Sequence, residues 1–111
     1  MSAALDLDVL ARLEAVIAAR RGADPDSSHT ARMLSRGAIK CAEKFGEEAV
    51  ETVIAGAAQD DAALTAEAAD AIYHLLVLLA AREVPLSAVL AELGRREGVS
   101  GVAEKAARSD G

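Results

Sequence analysis

Large aromatic side chains are nearly missing from this chain: its 111 residues hold one Phe, one Tyr and no Trp. With so few bulky groups a monomeric core has little to pack around, so close helix packing and association between copies are expected. A single cysteine, Cys41, excludes an internal disulfide and a multi-cysteine zinc site. Only two prolines occur, and Val, Ile and Thr never fall into a long alternating run, which leaves little for a sheet. Basic charge is also short, with 12 Lys and Arg against 18 Asp and Glu for a formal net charge of −6. That balance argues against nucleic-acid and anionic-membrane partners, because no phosphate-tracking basic stripe is present. The most apolar run, residues 75–81, is far too short to span a bilayer. Asp6 and Asp8 stand where a signal peptide would need its apolar centre, so a cytoplasmic location is expected.

What is there is helical sequence. Hydrophobic residues make up 52% of the chain, much of it alanine, enough for one small domain over residues 1–111 and not for two. Leu5, Val9, Leu10, Leu13, Val16 and Ile17 form an apolar stripe at helical spacing over about residues 5–21. Residues 22–28 are turn-rich, and Ser27 or Ser28 is placed to cap a short helix beginning near Thr30. Gly37 separates that piece from a longer helix reaching about Ala58. Residues 59–61 turn the chain into a helix over about 62–82, apolar all round beyond His74 and therefore expected to be buried on every side, partly by a second subunit. Pro85 ends it, and Leu86, Val89, Leu90 and Leu93 mark a last amphipathic helix over about 86–96. The expected fold is an all-α bundle of four main helices, completed by dimerisation.

Two acidic sets stand out. Glu47, Glu48 and Glu51 fall within one arc of about 100° on a helix, and Glu67 and Asp70 are i,i+3 neighbours on the next. A short turn joins the two helices, which makes them antiparallel neighbours, and both sets are flanked by apolar residues such as Val50, Val53, Ala68 and Ile72. Packing through those flanks would gather four or five carboxylates, which repel one another unless a cation joins them. An all-oxygen, carboxylate-rich shell suits Mg²⁺, or Mn²⁺ in its place. Taken alone, either acidic set also reads as an ordinary solvated helix face.

Arg32, Arg36, Lys40 and Lys44 step along at i,i+4 as a basic ridge leading to the acidic residues. Either they are a solvated face with intrahelical pairs such as Lys44–Glu48, or Lys40 and Lys44 meet substrate phosphates. Gly46 costs roughly 1 kcal/mol against Ala in a helix and marks a bend, a close ligand approach or a tolerated defect. His74 shares the face of Glu67 two turns on and reads first as a structural hydrogen-bonder, Tyr73 as core or interface, and Cys41 as a small buried residue.

The pattern Glu47-Glu48-x-x-Glu51 followed by Glu67-x-x-Asp70 resembles the E-E-x-x-E…E-x-x-D signature of the MazG-like all-α nucleotide pyrophosphohydrolases. Within that superfamily the chain is most similar to the phosphoribosyl-ATP pyrophosphatase family. The similarity runs from about residue 7 to 108 and rests also on Thr30-Ala-Arg-Met-Leu, residues 44–52, residues 70–79, Arg95-Arg-Glu-Gly-Val-Ser-Gly and Glu104-Lys-Ala. His29 departs from it, since an aromatic such as Tyr is expected before the Thr. The resemblance implies Mg²⁺-dependent hydrolysis of phosphoribosyl-ATP to phosphoribosyl-AMP and pyrophosphate in histidine biosynthesis. It implies Glu48, Glu51, Glu67 and Asp70 as metal ligands, Glu47 as a group for a second metal or the attacking water, and Lys40 and Lys44 as phosphate contacts. Residues 100–105 either close over the nucleotide or simply pack. The rival readings are a house-cleaning nucleotide pyrophosphatase of the same fold and a non-catalytic helical dimerisation module.

Overall fold

Short polar side chains stand where the chain turns, and they set the helix starts. In the computed structural model, which describes residues 4–98, Ser28 Oγ accepts from Ala31 N–H at 3.1 Å and opens α2 (His29–Arg36). Asp60 Oδ1 does the same for Ala63 N–H at 2.9 Å and opens α4 (Asp61–Ala81). Between α2 and α3 (Ala38–Ala58) lies Gly37 at φ +93°, a backbone state that an L side chain adopts only under strain. The remaining helices are α1 (Asp8–Ala19) and α5 (Leu86–Arg95). Among the described residues there is no strand, so the all-α reading holds, with four main helices and one short one.

α1 is shorter than the stripe predicts. Leu7 at its N-cap offers no side-chain acceptor, and residues 5–7 stay outside the helix despite the apolar Leu5 and Leu7. α5 also lacks a side-chain cap of its own because Pro85 precedes it. Its Leu86 N–H instead donates to Glu14 Oε2 of α1 at 2.7 Å, across 72 residues of sequence.

α3 and α4, 21 residues each, form the antiparallel pair at the centre. Ile17, Met33, Cys41, Leu76, Val77 and Leu86 meet at one end of it, bringing all five helices into a single core. Ile17, Cys41 and Val77 are each 1% exposed. The Cys41 thiol donates to Met33 O at 3.3 Å and burial pushes its pKa up, which fits the small buried residue expected.

The far half of α4 is only partly enclosed by this chain. Only His74, Leu76 and Val77 are fully buried there, while Leu75, Leu78 and Leu79 are partly covered, so a single chain does not enclose this helix. By length and composition α4, with a mean hydropathy of 1.5, would suffice to cross a membrane. Its packing against α3 and α1 is that of a central bundle helix. Val50, Val53, Ile54 and Ile72 remain about half exposed or more on the α3–α4 pair. The radius of gyration is 16.4 Å, against about 13 Å for a compact domain of 100 residues.

Candidate active site

Antiparallel packing of α3 on α4 places Glu48 opposite Glu67 and Asp70. One carboxylate oxygen from each lies within 4.8 Å of the other two. Glu48 and Glu67 are half-buried, and Asp70 reaches solvent. The proton affinity of Glu67 is raised, first by burial, then by the negative charges of Glu51, Asp70 and Glu48. Glu51 therefore stands within electrostatic reach of Glu67 but outside the tight trio. Three converging carboxylates, one of them pushed toward its protonated form, are a donor set for a hard divalent cation.

Lys44 closes one side of this cluster. Its Nζ lies 3.2 Å from Glu48 Oε1 and 3.7 Å from Glu47 Oε2. The hydrogen bond to Glu48, reinforced by both negative charges, outweighs partial burial and raises the Lys44 pKa. The intrahelical Lys44–Glu48 pair is thus formed. Glu47, 69% exposed, turns away from the trio toward Lys44. It lines a groove of about 260 Å³ with His29, Met33, Arg36, Lys40, Glu43 and Lys44. Lys40 is held there by Glu43 at 2.9 Å.

The basic ridge is not continuous. The bend at Gly37 ends α2 before α3 begins, and Arg32 is not part of the groove that Arg36, Lys40 and Lys44 share. α3 runs unbroken through Gly46, and the space where a β-carbon would stand is open.

His74 is buried one turn beyond Asp70, and burial lowers its pKa. Its ring meets His29 edge-on at 5.7 Å and Tyr73 at 5.3 Å. Its Nδ1 has no hydrogen-bond partner among the described residues, so the structural hydrogen bond expected of it is not formed at that atom. Tyr73 OH pairs with the Thr30 hydroxyl and ties α4 to α2, as a core residue should.

One residue of the site escaped the sequence reading. Thr52 Oγ1 lies 2.9 Å from Glu48 O and 2.9 Å from Glu67 O, joining the backbones of both facing glutamates. A threonine one turn after Glu48 signals the local bond to the i−4 carbonyl. Nothing in the sequence reveals the acceptor on the other helix.

The model of the family described as phosphoribosyl-ATP pyrophosphohydrolase matches residues 10–97, which take in every residue of this site. The chain belongs to the phosphoribosyl-ATP pyrophosphohydrolase family. A relative from Dinoroseobacter shibae, named phosphoribosyl-ATP pyrophosphatase, is 68% identical over 92% of this chain and 100% of its own length. Relatives of the same name from Erythrobacter litoralis and Ruegeria pomeroyi are 62% and 58% identical, over 94% and 95% of this chain and the whole of each relative. For this phosphoribosyl-ATP pyrophosphohydrolase family member the resemblance drawn from the acidic signature therefore holds. The segment over residues 100–105 lies outside the described residues.

Proposed function

We propose that this chain hydrolyses phosphoribosyl-ATP to phosphoribosyl-AMP and pyrophosphate, a step of L-histidine biosynthesis, using Mg²⁺ with Mn²⁺ as a substitute. The observation that carries this reading is the convergence of Glu48, Glu67 and Asp70 within 4.8 Å in a member of this family. Those three carboxylates, with Glu51 as a fourth ligand, would hold the cation. When bound it would neutralise phosphate charge, favour attack by water and stabilise the leaving pyrophosphate.

The chain's own groups supply the rest. Glu47, with Glu48 and Glu51, would orient water and receive its proton, Glu47 leaving its pairing with Lys44 to do so. Lys44 and Lys40 act on phosphate oxygens as point charges, exchanging their present partners Glu47, Glu48 and Glu43 for substrate. The exposed Lys40–Glu43 pair contributes only about 0–1 kcal/mol, so that exchange is inexpensive, whereas the less exposed Lys44–Glu48 pair is held more firmly. The half-exposed face of Val50, Val53, Ile54 and Ile72, and the incompletely covered α4, support a homodimer as the working form. A cytoplasmic location fits an enzyme acting on a nucleotide metabolite.

Pyrophosphate release from phosphoribosyl-ATP, beside ATP and a panel of deoxynucleoside triphosphates, with Mg²⁺ and with EDTA, tests this. Metal-dependent turnover confined to phosphoribosyl-ATP is expected. Turnover of the deoxynucleotides instead would move the chain to the house-cleaning reading, and no release from folded protein would leave a helical module.

A further inference from the structure

We infer that Thr52 is a positioning residue that holds the two acidic helices at the separation a divalent cation needs; this rests on the metal reading above. Its hydroxyl carries one hydrogen and faces two acceptors, the carbonyls of Glu48 and Glu67, each at 2.9 Å. That is a three-centre bond. The first acceptor lies on its own helix, one turn back, and is the ordinary return bond of a mid-helix threonine. The second is 15 residues away on α4. It belongs to the residue whose side chain faces Glu48 across the cluster.

The location gives the bond its consequence. Like charges converge at this level of the α3–α4 pair, with Glu48, Glu67 and Asp70 within 4.8 Å and Glu51 close enough to act on Glu67. Their repulsion pushes the helices apart while no cation is bound. A part-buried hydroxyl shared by the two glutamate backbones opposes that push at the same height, so Glu48 and Glu67 stay pre-aligned. Thr52 bonds the backbones that carry the ligands and not the carboxylates themselves, so its loss is expected at the lower end of the about 10–100-fold that loss of a ligand's own supporting partner brings. Replacing the hydroxyl by a methyl group leaves the Glu67 carbonyl its own place in the α4 ladder, so neither helix is left with an orphan group.

The test is Mn²⁺ binding to the substrate-free protein, followed by the loss of free-ion paramagnetic resonance signal. It compares wild type, Thr52→Val, Thr52→Ser and Glu67→Gln, with thermal melts of each in EDTA. Thr52→Val is expected to weaken Mn²⁺ about 10-fold, and Thr52→Ser, which keeps the hydroxyl, to stay within about 2-fold of wild type. Thr52→Ala carries the same comparison if the valine is not accommodated. Equal affinity in Thr52→Val and wild type, with Glu67→Gln weakened, overturns the role of Thr52 and leaves the metal site standing. A loss in Thr52→Val that serine does not restore, and that follows the melting temperature, makes Thr52 a packing residue only. No difference between Glu67→Gln and wild type overturns the metal reading and this inference with it.

Discussion

Removing the Glu14 side chain isolates the contribution of one long-range cap. α5 opens on Pro85 and has no capping side chain of its own, so its first backbone donors depend on groups from elsewhere. Leu86 N–H finds Glu14 Oε2 of α1 at 2.7 Å. The carboxylate also faces the positive end of the α5 dipole. Loss of a helix cap costs about 0.5–2 kcal/mol and loss of a hydrogen bond to a charged group about 1.5–3. The two ranges overlap at about 1.5–2 kcal/mol for Glu14→Ala, which is the expected loss. In a domain of this size each kcal/mol moves the melting temperature by roughly 4–8 °C, so a fall of about 6–16 °C is predicted. Glu14→Gln keeps an acceptor but not the charge and should lose about half as much. Circular-dichroism melts at one fixed protein concentration measure this, because association would otherwise shift the midpoint. Turnover per folded molecule should be unchanged, since the acidic residues lie on α3 and α4. Melting of Glu14→Ala within a degree of wild type, or Glu14→Gln as damaging as Glu14→Ala, would refute the reasoning.

Asp70→Asn should act with opposite signs on fold and function. In EDTA it removes one of three crowded like charges and should raise the melting temperature, while the stabilisation by added Mg²⁺ and the turnover are both lost; a lower melting temperature in EDTA would contradict it. His74 should make the fold acid-sensitive, since burial holds its pKa below the ordinary 6.5. The neutral ring is favoured in the folded chain, so its contribution is present above about pH 6.5 and is lost as pH falls from there toward the folded-state pKa. Urea midpoints between pH 5 and 8 should therefore drop on the acid side in wild type and flatten in His74→Phe. An unchanged slope in that variant would assign the acid sensitivity to other groups.

Helix type and order were legible because they depend on local chemistry. Ser28 and Asp60 cap helices through bonds three residues long, and a glycine at position 37 admits the φ of +93° that parts α2 from α3. The helix edges were less so: α1 starts at Asp8 without a side-chain cap, short of where the apolar stripe before it begins. The helical period and the short α3–α4 turn predicted a gathering of Glu47, Glu48, Glu51, Glu67 and Asp70, of which the packed helices bring Glu48, Glu67 and Asp70 within 4.8 Å. The same period could not separate Glu47 from Glu48, since adjacent positions differ by about 100° and only the neighbouring helix decides which points inward.

By itself, then, the order of residues determined the elements, the acidic signature and the family, each encoded within one or two helical turns or one short connection. Tertiary structure alone decided three things: that Glu51 stands beside the trio, that His74 is buried with no partner at Nδ1 among the described residues, and that Thr52 and Glu14 bond across helices. Those depend on contacts between residues 15 to 72 positions apart in the hydrogen bonds named. Such contacts follow from how helix faces settle against one another, and a local pattern does not encode that.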